Sequence, residues 1–192
     1  MEASDKSILR ARVRELVHTV PPQERALLSQ SLCRLMQVQR IWRDATQVLF
    51  FASLSDEPDI GPLLEEAWAQ RKVAALPRFD SQMNRYAACI ISERSELLPG
   101  RFGVLEPNEG CPLVPLNQLD LVFVPGVAYD FAGRRLGRGK GFYDRLLAEV
   151  RGHKCGVAFD AQIVAAVPEE PHDMRLNSIL TPTRWHLCPR AA

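Results

Sequence analysis

Leu121-Val122-Phe123-Val124-Pro125-Gly126, followed by Gly137-Arg138-Gly139-Lys140-Gly141-Phe142-Tyr143-Asp144, is the stretch that decides the architecture of this chain. An unbroken apolar run is the mark of a strand covered on both faces, as in a parallel sheet with helices above and below. Pro125-Gly126 ends that strand. A long loop then runs to about Lys140, and a helix is expected over roughly Phe142–Val150. Strand, glycine-rich loop and helix, in that order, make the repeating unit of layered α/β folds.

The same pattern recurs outward from this segment. Val48-Leu49-Phe50-Phe51-Ala52 reads as a second buried strand. Residues 59–71 read as a helix, and Val73–Leu76 as a strand ended by Pro77. Tyr86–Ile91 is a further strand, followed by a Pro/Gly-rich loop from Leu98 to Pro115. Cys155–Phe159 and Ser178–Thr181 are the last strands. Near the start, Leu9, Val13, Leu16, Val17 and Val20 recur at helical spacing, with Ser4 and Asp5 as caps. Pro21-Pro22 stops that helix, and Pro22 suits the first turn of the next, whose apolar face carries Leu28, Leu32, Leu35 and Met36. The expected fold is a single α/β layered domain of 192 residues, with a largely parallel central sheet flanked by helices (Rossmann-like).

Composition narrows the function. With 24 basic and 23 acidic residues the formal charge is +1, which argues against bulk binding to nucleic acid or membranes. Cys33, Cys89, Cys111, Cys155 and Cys188 are odd in number and widely spaced, with no CxxC pair. That is the pattern of a reduced intracellular chain without a disulfide frame or thiolate zinc site. No apolar run reaches the ~20 residues of a membrane helix. A cytoplasmic location follows, since Glu2, Asp5 and Glu15 speak against an organellar transit peptide; a monomer is expected.

The chemistry lies in the glycine-rich loop. Glycines at 137, 139 and 141 let the main chain approach a ligand closely. The following helix aims its free N–H groups and positive dipole end at the same place. Arg135, Arg138 and Lys140 add positive charge. Together these make a polyphosphate cradle, yet not one of the two commonest kinds. Phe142 stands where a P-loop has its Ser or Thr, and the G-x-G-x-x-G spacing of a dinucleotide fold is missing.

Taken whole, Pro125-Gly126-Val127-Ala128-Tyr129-Asp130 with Gly133-Arg134-Arg135-Leu136-Gly137-Arg138-Gly139-Lys140-Gly141-Phe142-Tyr143-Asp144 closely resembles the signature of the 5-formyltetrahydrofolate cyclo-ligases, also called methenyltetrahydrofolate synthetases. Weaker likenesses follow in the right order: Lys6-Ser7-Ile8-Leu9-Arg10, Phe51-Ala52-Ser53 with Asp56-Glu57, Leu76-Pro77-Arg78, Gly103-Val104-Leu105-Glu106-Pro107, Val167-Pro168, His172-Asp173 and Thr181. The resemblance implies an ATP- and Mg²⁺-dependent ligase that converts 5-formyltetrahydrofolate, and possible polyglutamate forms of it, into 5,10-methenyltetrahydrofolate. It implies ATP contacts at Lys6, Ser7, Ile8, Leu9, Arg10, Arg135, Leu136, Gly137, Arg138, Gly139, Lys140, Gly141, Phe142 and Tyr143. Substrate contacts are implied at Ala52, Glu57, Arg138, Gly139, Lys140, Gly141 and Phe142, and metal contacts at Asp144 and Asp173. Lys140 and Arg138 are the implied catalytic cations. Ala52 falls where relatives often carry a larger apolar residue. Arg134 is expected to face water, and His172 is a neighbour rather than a ligand, because Mg²⁺ prefers oxygen.

Two alternatives stay open at this level. One is an inactive relative of the same fold that binds folate or RNA through the Arg134–Lys140 patch. The other is a sugar-phosphate isomerase or CoA transferase on a related α/β fold, which needs a carboxylate and no ATP. In the first helix Lys6, Arg10 and Arg14 form one stripe bordering its apolar face. Lys6 and Arg10 are expected to reach nucleotide phosphates, and Arg14 to lie beyond the matched positions.

Overall fold

The structure is a computed structural model that describes residues 3–189. Its helices are α1 Ala3–Thr19, α2 Pro22–Gln37, α3 Arg40–Asp44, α4 Gly61–Ala69 and α5 Phe142–Glu149. Its strands are β1 Gln47–Leu49, β2 Val73–Asp80, β3 Arg85–Ile91, β4 Leu97–Pro99, β5 Leu105–Pro107, β6 Leu113–Val114, β7 Leu121–Val124, β8 Ala128–Tyr129, β9 Arg135–Leu136, β10 His153–Val157, β11 Ser178–Leu180 and β12 Trp185–Leu187. Eight of them form one sheet in the order β12-β11-β10-β7-β1-β2-β3-β6. The run from β11 to β2 is parallel throughout, while β12, β3 and β6 join antiparallel at the two edges. The expected α/β class, with a largely parallel central sheet flanked by helices, is therefore the one observed.

Alternation along the central strands explains why they read as continuous apolar runs. Val48, Phe50, Ala74, Leu76, Leu121 and Phe123 face one side, where they meet Leu32 and Met36 of α2, Trp42 of α3 and Leu63 of α4. Leu49, Ala75, Val122 and Val124 face the other, against Leu146 and Leu147 of α5. Both faces are dry, so no polar residue is called for at either parity. Each Val, Leu, Met or Phe side chain among them, fully buried, contributes about 1.5–3 kcal/mol. α1 does not lie on a sheet face. Its Val13 packs with Val127, Ala128, Leu136 and Val167 at the strand ends, with Leu9 alongside.

Several local expectations are corrected. β2 does not stop at Pro77; it runs on to Asp80, with Pro77 opposite Ala88. Pro77 shares the pleat of Ala75, whose carbonyl faces β1 and accepts the Phe50 N–H at 2.8 Å. Beyond that point β1 has ended, so the missing proline donor falls on an open edge. The segment Leu98–Pro115, expected as loop, contains β5 and β6 and pairs β5 with β4. The loop before Lys140 contains the β8–β9 hairpin. Ser4 and Asp5 fall inside α1 rather than ahead of it. Among the described residues, no helix is long and apolar enough to cross a membrane.

Candidate active site

β1 sends the chain towards β2 on one side, and β7 sends it towards β10 on the other. The crevice beyond the carboxyl ends of two such neighbours is where open α/β sheets bind ligands. A cavity of about 410 Å³ lies there, bounded by Phe51 and Ala52 after β1 and by Pro125 and Gly126 after β7. The loop Gly137–Gly141 forms one wall. Gly139 and Gly141 have φ of 101° and 63°, a left-handed region that strains any residue with a Cβ. Gly141 stands directly before α5 and turns the chain into it.

α1 reaches the same cavity because its apolar face is seated on the hairpin. Arg10 Nε donates to the Gly137 carbonyl at 2.8 Å. Lys6 Nζ lies 3.0 Å from Asp173 Oδ2 and 3.4 Å from Glu170 Oε1. Lys6, Arg10 and Lys140 thus line one wall. Ser7, Ile8 and Leu9 do not line it: Ser7 and Ile8 are exposed, and Leu9 packs with the α1 cluster. Arg14 is not a plain solvated member of the stripe, since its Nε is buried without a partner.

Arg135 and Leu136 belong to β9. Arg135 is nearly enclosed, and its Nη2 meets Asp144 Oδ1 at 2.7 Å while Nη1 donates to the Pro125 carbonyl at 3.3 Å. Arg138, expected at both the nucleotide and the folate, holds two acids. Its Nη2 lies 2.6 Å from Asp56 Oδ1 and 2.9 Å from Glu57 Oε1. That pair ties the glycine loop to the segment after β1. Glu57 also accepts the Leu54 N–H at 3.1 Å. Burial pushes the Glu57 carboxyl above its ordinary value, and the charge and hydrogen bonds of Arg138 only partly offset this.

An aromatic wall faces these charges. Phe142 meets Phe79 edge-on at 5.0 Å and Tyr86 at 5.7 Å between ring centroids. Tyr86 in turn lies 6.1 Å from Tyr143. Phe142, Tyr143 and Tyr86 all line the cavity. Tyr86 was not among the expected site residues, because an aromatic at the start of a strand looks like core. Asp144, in the first turn of α5, and Asp173 also reach the cavity. For Asp173, burial acts to raise the carboxyl, but the Glu170 N–H and the Lys6 ammonium outweigh it and hold it below the usual range. His172 lies 3.3 Å from Glu170 and forms a loose cluster with Glu170 and Asp173. Arg134 does not face water freely, since its Nε binds the buried Asp130 at 2.7 Å.

The Glu57 environment makes a pH prediction. A carboxyl raised on folding keeps its proton to higher pH in the folded chain than in the unfolded one, where the ordinary value is about 4.3. The associated stability is present at low pH and is lost as pH rises through the folded value. Wild type should therefore gain on Glu57→Gln as pH is lowered from neutrality towards about 4.3. Urea denaturation across that range checks it; parallel stability curves would contradict the buried, raised carboxyl.

The arrangement can hold a polyanion at Lys6, Arg10 and Lys140, and a flat ring system between Glu57 and the aromatics. Residues 2–182 match the model of the 5-formyltetrahydrofolate cyclo-ligase family. The chain is 30% identical over 189 residues to the mouse 5-formyltetrahydrofolate cyclo-ligase, covering 92% of this chain and 93% of that one. It is 32% identical over 182 residues to the enzyme of the same name from Escherichia coli K12, covering 92% and 98%. Its fold superimposes on Aquifex aeolicus 5,10-methenyltetrahydrofolate synthetase with a TM-score of 0.87 and 30% identity, covering 97% of this chain and 94% of that chain. From cavity, loop and relatives together, the chain belongs to the 5-formyltetrahydrofolate cyclo-ligase family.

Proposed function

We propose that this protein converts 5-formyltetrahydrofolate and ATP into 5,10-methenyltetrahydrofolate, ADP and phosphate, in a Mg²⁺-dependent reaction. The observation that carries the reading is the meeting, in one cavity at the β1/β7 crevice, of three cations on a glycine-walled side with a buried acid and an aromatic wall on the other. The chemical problem is the formamide oxygen, a very poor leaving group. Transfer of the γ-phosphoryl group to that oxygen makes it one. N10 then forms a bond to the activated carbon, the carbon–oxygen bond breaks, phosphate departs and N10 gives up its proton.

In a reaction of this kind, positioning and electrostatics supply most of the rate. Lys6 and Arg10 bind the triphosphate, with the loop N–H groups at the start of α5. Lys140 follows the charge from phosphoryl group to formyl oxygen. Glu57, when ionised, accepts hydrogen bonds from the amino and ring N–H groups of the pterin. Phe142, Tyr143 and Tyr86 flank the rings. Arg138 touches Glu57, so it links the pterin end of the cavity to the loop that holds phosphate.

Mg²⁺ prefers hard oxygen ligands and is commonly held by one or two carboxylates with substrate phosphates. Asp144 and Asp173 fit that need: both face the cavity, and Arg135 and Lys6 orient them. The ion, when bound, neutralises phosphate charge. Asp144→Asn, which keeps size and removes charge, should raise the Mg²⁺ concentration needed for half-maximal rate by about tenfold, with Asp173→Asn milder. Metal titrations that overlay wild type for both variants would remove these residues from the metal site. The activity itself is tested by following the near-UV absorbance of the methenyl product. It should form only when ATP, Mg²⁺ and 5-formyltetrahydrofolate are all present; turnover without ATP would refute the reading.

A further inference from the structure

Arg138 belongs to the glycine wall, yet its guanidinium ends on the turn that follows β1, where Asp56 Oδ1 and Glu57 Oε1 share Nη2 at 2.6 and 2.9 Å. That turn is a small closed unit. The Glu57 N–H donates to the Leu54 carbonyl at 3.0 Å, Glu57 Oε2 accepts the Leu54 N–H at 3.1 Å, and Ser53 Oγ donates to the Pro58 carbonyl at 2.8 Å. On the other side, Arg10 holds the loop at the Gly137 carbonyl. Two units far apart in sequence are therefore joined through one arginine. The two acids are not equivalent. Glu57 lines the cavity, and Asp56 is not among its lining residues. A ligand that engages Glu57 competes with Arg138 for its oxygens, whereas Asp56 keeps its hold. The Arg138 and Asp56 side chains are 35% and 15% exposed, so this pair is less screened than one in open solvent.

We propose that Asp56 is a positioning residue: by holding Arg138 it makes the glycine loop and the turn after β1 one body, so that nucleotide and folate each tighten the binding of the other. The inference rests on the cyclo-ligase reading, which puts the triphosphate on the loop and the pterin at Glu57. The first ligand to arrive orders the joined body at the cost of its conformational entropy. The second finds it ordered and binds more tightly. Thermodynamic linkage makes the effect reciprocal. Without the Asp56 carboxylate each ligand orders its own half alone, and the two sites act independently. Were Arg138 free to leave both acids for phosphate, the nucleotide would strip the buried Glu57 of its cation, and folate would bind more weakly. Asp56 itself touches neither ligand; it acts through Arg138.

The test is calorimetric titration with Mg²⁺ and a non-hydrolysable ATP analogue, alone and with saturating 5-formyltetrahydrofolate, and then with the order of the ligands reversed. In wild type each ligand should tighten the other by about fivefold or more. In Asp56→Asn the factor should fall to about one, while affinity for either ligand alone and the melting temperature change little. Asp56→Glu, which restores the charge, should keep part of the coupling. Hydrogen exchange gives a reading that needs no variant: the ATP analogue alone should slow exchange at the Leu54 and Glu57 amides, although they belong to the folate side. Independent or mutually weakening ligands in wild type overturn the assignment, as does an Asp56→Asn variant with wild-type coupling. Protection confined to residues 137–141 overturns it too. In each of those cases both ligands still bind, so the cyclo-ligase reading stands. Failure of either ligand to bind wild type, alone or with the other, overturns that reading and the assignment with it.

Discussion

Lys140→Ala should lower turnover by ~100-fold or more while leaving the melting temperature nearly unchanged. The residue sits between two glycines of left-handed backbone, on a loop that borders the cavity. Its ammonium is on an exposed residue and forms no part of the core, so its removal should not unfold the chain. Its worth lies in the transition state, where negative charge moves from the phosphoryl group to the formyl oxygen. Removing one preorganised donor from such a position typically costs 10²–10³ in rate. Because the interaction is strongest as charge develops, the fall in kcat should exceed any rise in the KM for ATP, with little change in the KM for the folate. Steady-state kinetics with a parallel melting curve decide it. A variant within a few-fold of wild type would make Lys140 an ordinary solvated loop residue.

The largest effect on stability is expected at Asp130, which is 1% exposed. Its Oδ1 accepts the N–H groups of Ala132 at 3.0 Å and Arg134 at 3.1 Å. Its Oδ2 accepts Val167 N–H at 2.8 Å and Arg134 Nε at 2.7 Å. One carboxylate therefore closes the β8–β9 hairpin and fastens it to the segment before Glu170 and Asp173. Asp130→Ala leaves three backbone donors and a guanidinium without their acceptor. Orphaned buried donors cost about 1–3 kcal/mol each before relaxation, so a net loss of ~3 kcal/mol is expected. For a chain of this size that is about 6–12 °C in melting temperature. Asp130→Asn should lose less. Urea and thermal denaturation measure both; an alanine variant that melts with wild type would show that the hairpin is held by other contacts.

What the sequence could reveal followed from how local each signal is. β1 and β7 are legible because strands buried on both faces need no polar residue at either parity. The loop Gly137–Gly141 is legible because two of its glycines answer a backbone demand that holds whatever surrounds them. Asp130 was not legible as a linchpin. It looks like any turn acid, and its decisive partner, Val167, lies 37 residues away. The acids that hold Arg138 were not legible either, because they lie 81 and 82 residues away. Pro77 reads as a stop unless the length of the neighbouring strand is known. The β8–β9 hairpin has two residues per strand, too few for an alternation to show. Lys6 and Arg10 line the cavity, while their neighbour Arg14 is partly enclosed, a matter of how α1 is seated rather than of helical spacing.

The central claim, that this cavity moves a phosphoryl group onto the formyl oxygen, is tested most directly by the fate of that oxygen. 5-Formyltetrahydrofolate labelled with ¹⁸O in the formyl group is turned over once with MgATP, and the released phosphate is analysed by mass. The account predicts one ¹⁸O in each phosphate formed with methenyl product. Unlabelled phosphate, with the label released to water, would contradict it.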